Sequence, residues 1–236
     1  PMMNQPAFAA GKRTSPIDNG NLNRAFPGRP DGTVTEKIAD YFQTQLLPLA
    51  DVVLDIHSGG RTLEFVHFCA VHELDDAQQQ VRCTAAMTAF NAPYGLVLRE
   101  LDAVGLYDTA AEAMGKTFLS TELGGGGTAT VASAGVAKKG VANLFKHMGI
   151  LPGDPDIGPS QILTMPETGC YITSESAGLV EFLVDLGGSV RADAPVLRVH
   201  STERTGGQPR VYKAAIDGIL TGRHFPGLTH PGDTLA

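Results

Sequence analysis

Three polar clusters in the first half of the chain hold the residue types that could do chemistry. The first is Asn21-Leu22-Asn23-Arg24-Ala25-Phe26-Pro27-Gly28, in a loop ahead of the first helical pattern. Asn23 and Arg24 offer an amide and a planar cationic fork, and the fork matches a carboxylate through two parallel hydrogen bonds. Taken alone, the pair fits a solvated loop arginine better. The second cluster is Asp55-Ile56-His57-Ser58-Gly59-Gly60. A His at the carboxyl end of a buried strand, followed by small residues, occupies the place where open α/β sheets bind ligands. Period two sets Asp55 and His57 on the same side of that strand, so Asp55 can take the second ring proton, as metal-ligating imidazoles require. A surface loop histidine accounts for this motif as well. The third cluster is Ser120-Thr121-Glu122-Leu123, followed by Gly124-Gly125-Gly126-Gly127. A Glu that ends an apolar strand meets surroundings that disfavour its charge, which suits a general base. The plainer account is an ordinary strand-end Glu before a floppy loop. The glycines are a weak phosphate cradle, because no Gly-Lys-Ser/Thr follows them. Val131-Ala132-Ser133-Ala134-Gly135 lacks the first glycine of a nucleophile elbow.

The elements that must position these clusters are legible in the hydrophobic pattern. Thr35 to Leu47 places Ile38, Ala39, Phe42 and Leu46 on one helical face, with Thr35 as N-cap and Pro48 as the stop. Ala50 to Ile56 reads as a buried strand. Asp75 is expected to cap a helix running to about Phe90, with Val81, Ala85 and Ala89 on its inner side. Gly95 to Leu101 reads as a second strand, Thr109 to Met114 as a short helix, and Thr117 to Leu123 as a third strand. Ser133 to Met148 closes the region as a helix with Ala137, Val141, Leu144, Phe145 and Met148 inside. Strands alternating with helices predict an α/β fold with a mostly parallel sheet and helices on both faces. After the polar connector Gly153-Asp154-Pro155-Asp156-Ile157-Gly158-Pro159 the chain turns to short runs punctuated by Gly and Pro, the pattern of a small antiparallel β unit. The expected organisation is an α/β domain over 1–158 and a β-rich domain over 159–236.

Composition narrows the classes. In 236 residues, 18 Lys and Arg against 25 Asp and Glu give a net charge of −7, which argues against a dedicated nucleic-acid binder. Hydrophobic residues make up 42 %, enough for a sizeable core. No apolar stretch approaches the roughly 18 residues of a membrane span. Cys69, Cys83 and Cys170 have neither disulfide-framework nor metal-site spacing, so a soluble, cytoplasmic protein of a reducing compartment is expected. The remaining histidines, His67, His72, His147, His200, His224 and His230, are scattered. His200-Ser201-Thr202-Glu203 has His-x-x-Glu spacing, but at the end of a β run where the side chains need not converge.

Taken together and in order, the three clusters resemble the succinylglutamate desuccinylase/aspartoacylase family of zinc-dependent amidohydrolases, itself related to the zinc carboxypeptidases. The stretch from Ser15-Pro16-Ile17-Asp18 to Gly28 is similar to the family's substrate loop. The segment Asp55 to Gly60 resembles the one with its third zinc ligand, and Thr121-Glu122-Leu123-Gly124 resembles its catalytic-glutamate strand. The longer Ser-Pro-Ile-Asp form most resembles the branch that deacetylates Nα-acetyl-2,4-diaminobutyrate in ectoine breakdown. The resemblance implies a zinc-carboxypeptidase-like sheet with a small C-terminal β domain. It also implies one zinc ion per active site ligated in part by His57, Glu122 as the catalytic base, and Asn23 and Arg24 binding the carboxylate of a small N-acyl amino acid.

The family's other two zinc ligands come from a His-x-x-Glu upstream of the Asn-Arg loop. Only 20 residues precede Asn21 here, and none is His or Glu. The expectation is therefore an N-terminally shortened member that holds zinc poorly, with its activity in question; its oxyanion-stabilising arginine has Arg13 as the one nearby candidate. A reading of another class stays open, a non-catalytic protein whose Asn-Arg loop captures carboxylates without metal. A biotinyl- or lipoyl-type carrier is disfavoured, because no Lys occupies a hairpin tip and Lys213 lies within a β run. The β domain has two roles open to it, covering the mouth of the site or building a subunit interface in a homo-oligomer.

Overall fold

The computed structural model of the protein describes residues 2–99, 104–165 and 168–236. Its helices are α1 (Gln5–Ala9), α2 (Val34–Tyr41), α3 (Ala77–Phe90), α4 (Tyr107–Ala113) and α5 (Val131–His147). Its first strands are β1 (Val52–His57), β2 (Leu63–Phe65), β3 (Phe68–His72), β4 (Tyr94–Leu98), β5 (Thr117–Glu122) and β6 (Gln161–Met165). Seven short strands follow: β7 (Gly178–Phe182), β8 (Ser189–Val190), β9 (Pro195–His200), β10 (Arg210–Lys213), β11 (Gly218–Ile219), β12 (Gly222–His224) and β13 (Leu228–Thr229). One sheet has the order β1-β5-β3-β4-β6, and the others are β10-β9-β7-β13, β11-β8 and β12-β2. In the first, β3 runs parallel to β4 and β4 to β6, with Phe68 opposite Tyr94 and Tyr94 opposite Gln161. Strands β1 and β5 also run the same way, since Thr117 N donates to Asp51 O (3.1 Å) at one end and Leu123 N to His57 O (3.0 Å) at the other. The expected α/β class, a parallel-dominated sheet accompanied by antiparallel sheets, is the architecture observed. Among the described residues no helix is long and apolar enough to cross a membrane.

Several element ends differ from the pattern-based reading, each for a local reason. The N-cap of α2 is Thr33, not Thr35: Thr33 has Glu36 at the third helical position and closes a capping box with it. Thr35 is buried and donates instead, through its amide and hydroxyl, to Asp18. At the start of α3, Asp76 rather than Asp75 accepts from the amides of Gln78 and Gln79. Its inner face is Cys83, Ala86, Met87, Ala89 and Phe90; Ala89 is inside as expected, while Val81 is 68 % exposed and Ala85 faces outward, because the bulk of Phe90 and Met87 sets the rotation of the helix. α5 begins at Val131, two residues before the expected Ser133, and is capped by Thr130. There the buried positions are Ser133, Gly140, Asn143 and Leu144, and Phe145 and Met148 face outward. Asn143 is drawn inward by two bonds to the backbone of Asp156 (2.9 and 2.7 Å), which fold the connector back along the helix. The strand expected over Gly95 to Leu101 is described as β4, and Glu100 and Leu101 lie outside the described residues. Strand β6 follows the Pro-rich connector and joins the parallel sheet beside β4.

The chain divides into two units, Pro1–Asp55 with Glu73–Ala85 and Glu100–Ser120, and Ile56–His72 with Ala86–Arg99 and Thr121–Ala236. The first is built around Tyr107, whose ring lies 4.9 Å from that of Phe26 and edge-on to Phe118 at 5.9 Å. Burial, and then the charge of Asp55, pushes the Tyr107 hydroxyl up to about 12. The second unit has two apolar clusters. Phe68, Ala70 and Leu96 lie on the parallel strands, and Val196, Leu197, Val199, Tyr212, Leu220 and Leu235 fill the β-rich part. In this unit α5 seats on Phe90 through Gly140, where an added Cβ would stand 2.2 Å from the ring.

That contact reverses an ordinary rule. Gly to Ala inside a helix normally stabilises by up to about 1 kcal/mol. Gly135, with open space around its Cβ position, should follow the rule. Gly140→Ala should instead destabilise by about 1–3 kcal/mol through overpacking. Thermal or urea unfolding of the two variants checks the opposite signs.

Candidate active site

The site begins with two strand ends. His57 is the last residue of β1 and Glu122 the last of β5. The backbone of His57 is held on both sides of Glu122: its amide donates to Thr121 Oγ1 (3.3 Å), and its carbonyl accepts from Leu123 N (3.0 Å). In a parallel ladder a carbonyl accepts from the amide one residue past the residue it faces, and the bonds of Leu123 N to His57 O and of Thr117 N to Asp51 O give one register, 57 opposite 122 and 51 opposite 116. His57 and Glu122 are therefore cross-strand neighbours, on strands about 4.8 Å apart. Both side chains are half-buried, and Thr121, at 1 % exposure, is fixed beneath them.

The glycines after Glu122 are not a floppy loop. Gly124 O accepts from Gly59 N (3.0 Å) and Phe65 N (3.2 Å), Leu63 O accepts from Gly126 N (3.1 Å), and Gly60 O from Gly127 N (2.6 Å). The loop that follows Glu122 is thereby laced to the loop that follows His57. Gly125, at φ +153°, must be glycine on two counts, since its Cβ would also stand 2.1 Å from Leu63 O. On its other side β2 pairs with β12, Arg223 opposite Glu64, and Arg223 Nε and Nη2 both donate to Glu64 Oε2 (2.9 and 2.7 Å).

Asn23 and Arg24 belong to the first unit. Asn23 Oδ1 accepts from Tyr107 N (2.8 Å), capping α4, whose own N-cap residue Leu106 has no side-chain cap bond. The Nδ2 donors of Asn23 are not used in this cap. Arg24 is exposed, and its Nη1 donates to the Asn23 carbonyl. The Arg24 backbone is pinned where Gly105 packs on it, a Cβ there standing 2.7 Å from Arg24 O. Upstream, Asp18 closes the loop: it accepts from Thr35 N (2.6 Å), Thr35 Oγ1 (2.8 Å) and Gly20 N (2.9 Å). Those amide donors, Thr35 first, hold its carboxyl well below the usual carboxylate range.

Zinc is the cofactor the resemblance implies. A catalytic zinc takes three protein ligands and a water. Among the described residues no group of three or more His, Cys, Asp and Glu side chains is placed to hold a metal. His57 is one imidazole, so the residues present do not make up a three-ligand zinc site.

Other candidates resolve plainly. The ring partner of His200 is Glu181 (2.7 Å) on the neighbouring strand, not Glu203. His224 sits between the carbonyls of Thr234 and Leu228 as a strut of the β-rich part. The residue that pattern reading passed over is His67, whose Nε2 lies 3.5 Å from the Cβ position of Gly124. Only its nearness in sequence to the His57 loop could have drawn attention to it.

The comparisons with known proteins bear on this arrangement. Residues 1–148 match the succinylglutamate desuccinylase/aspartoacylase catalytic domain. The chain belongs to that family. It is 51 % identical over 238 residues to the N-alpha-acetyl-L-2,4-diaminobutyric acid deacetylase of Halomonas elongata, covering all of this chain and 70 % of that protein. Among solved structures it is similar to the product-bound ectoine utilization protein EutE (DoeB) of Ruegeria pomeroyi, with a TM-score of 0.97 and 54 % identity over 99 % of this chain and 71 % of that one. A succinylglutamate desuccinylase from Silicibacter sp. TM1040 matches with a TM-score of 0.95 and 57 % identity, over 99 % and 71 % of the two chains. The match to the family fold extends through the antiparallel sheets as well as the parallel one.

Two outcomes follow for the scaffold of the site. Gly125→Ala should unlace the two loops and lower the unfolding temperature, with amide exchange accelerating first over residues 59–65. An Asp18 carboxyl held below its unfolded value contributes stability that is present above the ordinary carboxylate range and lost as pH falls through its folded value. Asp18→Asn should therefore be less stable at neutral pH and show a shallower loss below about pH 4. Parallel melting curves of the two proteins across that range would dispose of the assignment.

Proposed function

We propose that this family member hydrolyses the amide bond of a small N-acyl amino acid, releasing the short acid and the free amine, with an acetylated diamino acid as the first substrate to test. The observation that supports the reading most is the register that stands Glu122 opposite His57 at the carboxyl edge of the parallel sheet. The substrate class is taken from the 51 % identical deacetylase.

In this reading a water oxygen adds to the amide carbonyl carbon while Glu122 takes a proton from that water. The carbon–nitrogen bond then breaks as the same proton passes to the leaving nitrogen, leaving a carboxylic acid and an amine. Arg24, with the Asn23 Nδ2 donors, holds the α-carboxylate of the substrate through charge-assisted hydrogen bonds. His57 is the imidazole that this chain would contribute to the zinc of the family resemblance. A cytoplasmic location accords with Cys69, Cys83 and Cys170 all being free thiols.

In the complete gene product, Glu122→Gln should lower kcat for Nα-acetyl-L-2,4-diaminobutyrate by about 10²–10⁴-fold, the usual contribution of a general base. Turnover near the wild-type rate would remove Glu122 from the mechanism. Arg24→Ala should raise KM by roughly tenfold or more with a smaller change in kcat, in line with the loss of a hydrogen bond to a charged group. Tight binding of the acylated amino acid without acetate release by the wild type would favour the carboxylate-binding alternative.

A further inference from the structure

The half-buried ring of His67 stands apart from the other imidazoles of this protein. His200 bonds Glu181, His224 lies between two carbonyls, and His57 and His72 are engaged. His147 and His230 are exposed. Among the described residues, the His67 ring makes no hydrogen bond, although its backbone is fixed. His67 O accepts from Tyr94 N (3.3 Å), Val66 N donates to Thr221 O (2.9 Å), and Phe68 beside it is 6 % exposed as the first residue of β3. An imidazole carries a donor and an acceptor nitrogen. One held in place without a protein partner has both nitrogens available to water or to a ligand.

Its location says what arrives. The Nε2 atom lies 3.5 Å, and Cδ2 3.9 Å, from the Cβ position of Gly124, two residues beyond Glu122. A side chain at 124 would touch Nε2 and cover it, and the φ of +79° there excludes most side chains. Glycine keeps this nitrogen open at the rim that Glu122 occupies. We propose that His67 is a further substrate-contacting residue of the site, its Nε2 donating a hydrogen bond to an oxygen of the acyl amino acid as the substrate lies over Gly124. This rests on the hydrolase reading above.

The test compares His67→Ala and His67→Gln with the wild-type gene product on Nα-acetyl-L-2,4-diaminobutyrate, and adds calorimetric binding of the same compound to Glu122→Gln and to Glu122→Gln/His67→Ala. Loss of one hydrogen bond to a polar or charged oxygen should raise KM by roughly tenfold in His67→Ala, with kcat changed less. His67→Gln, which keeps an N–H donor at similar reach, should recover most of the loss. Removal of the exposed His200 imidazole, His200→Gln, should leave both constants unchanged. A wild-type KM in His67→Ala, or no recovery with Gln at equal unfolding temperature, overturns the proposal. Absence of turnover in every protein, with binding weakened by the second substitution, would overturn the hydrolase reading and leave the contact standing.

Discussion

The site depends on a backbone interlock between two loops. The strand carrying His57 and the strand carrying Glu122 both end in small residues, and the loops beyond them exchange hydrogen bonds through Gly59, Gly60, Leu63, Phe65, Gly124, Gly126 and Gly127. Backbone groups at a sheet edge must find partners or water, and here each loop satisfies the other. The close approach this demands leaves no room for Cβ atoms: at Gly59 one would stand 2.3 Å from Leu63 O, and at Gly125 one would stand 2.1 Å from the same oxygen. Glycine in these positions is a requirement of proximity, and it turns a sequence that looks flexible into a fixed platform. The relative placement of an imidazole and a carboxylate is then a property of main-chain geometry, which varies far less than side-chain torsions.

In the first unit the same economy of parts appears in the Asn-Arg loop. Asn23 caps α4 from a distance, Asp18 brackets the start of α2, and Gly105 admits the Arg24 carbonyl at close range. The first two contacts tie a loop residue to a helix end, where unsatisfied amides are available. The guanidinium of Arg24 is left at the surface while everything behind it is anchored. An exposed arginine on a mobile loop would lose entropy on gripping a carboxylate, and anchoring its backbone beforehand reduces that loss.

How much of this was legible in the sequence follows the physics of each signal. Strong periodicity placed the α/β alternation, and small residues after apolar strands placed His57 and Glu122 at strand ends. Element ends were less legible, because several residues compete for one role. Thr33 and Thr35 are both good caps, and only the Glu at position 36 and the pull of Asp18 on Thr35 decide between them. The inner face of α5 was misread where a polar or absent side chain turned inward. Asn143 bonds the connector and Gly140 receives Phe90, neither of which a hydrophobic pattern registers. The glycine run was legible as composition and illegible as structure, since its order comes from partners some sixty residues earlier. Strand β6 was missed because its burial is shallow: Gln161, Ile162 and Thr164 are exposed on an edge strand, so no apolar alternation marks it.

The β-rich region then acquires a reason beyond being an appendage. Strand β2 is three residues long and could not persist alone. It is held on one side by the bridge of Glu64 to Gly125, and on the other by its ladder with β12. The Glu64–Arg223 ion pair, at about one-third exposure on both sides, contributes on the order of 1 kcal/mol or less after solvent screening. The ladder and the seating of Arg223 over the Phe182 ring at 5.8 Å therefore carry more of the association than the charges do. Because Gly222 lets the Phe65 ring lie where its Cβ would be, 2.5 Å away, β12 fits β2 closely enough to form that ladder. The C-terminal strands thus hold the loop that holds His57 opposite Glu122, which makes them part of the site's framework.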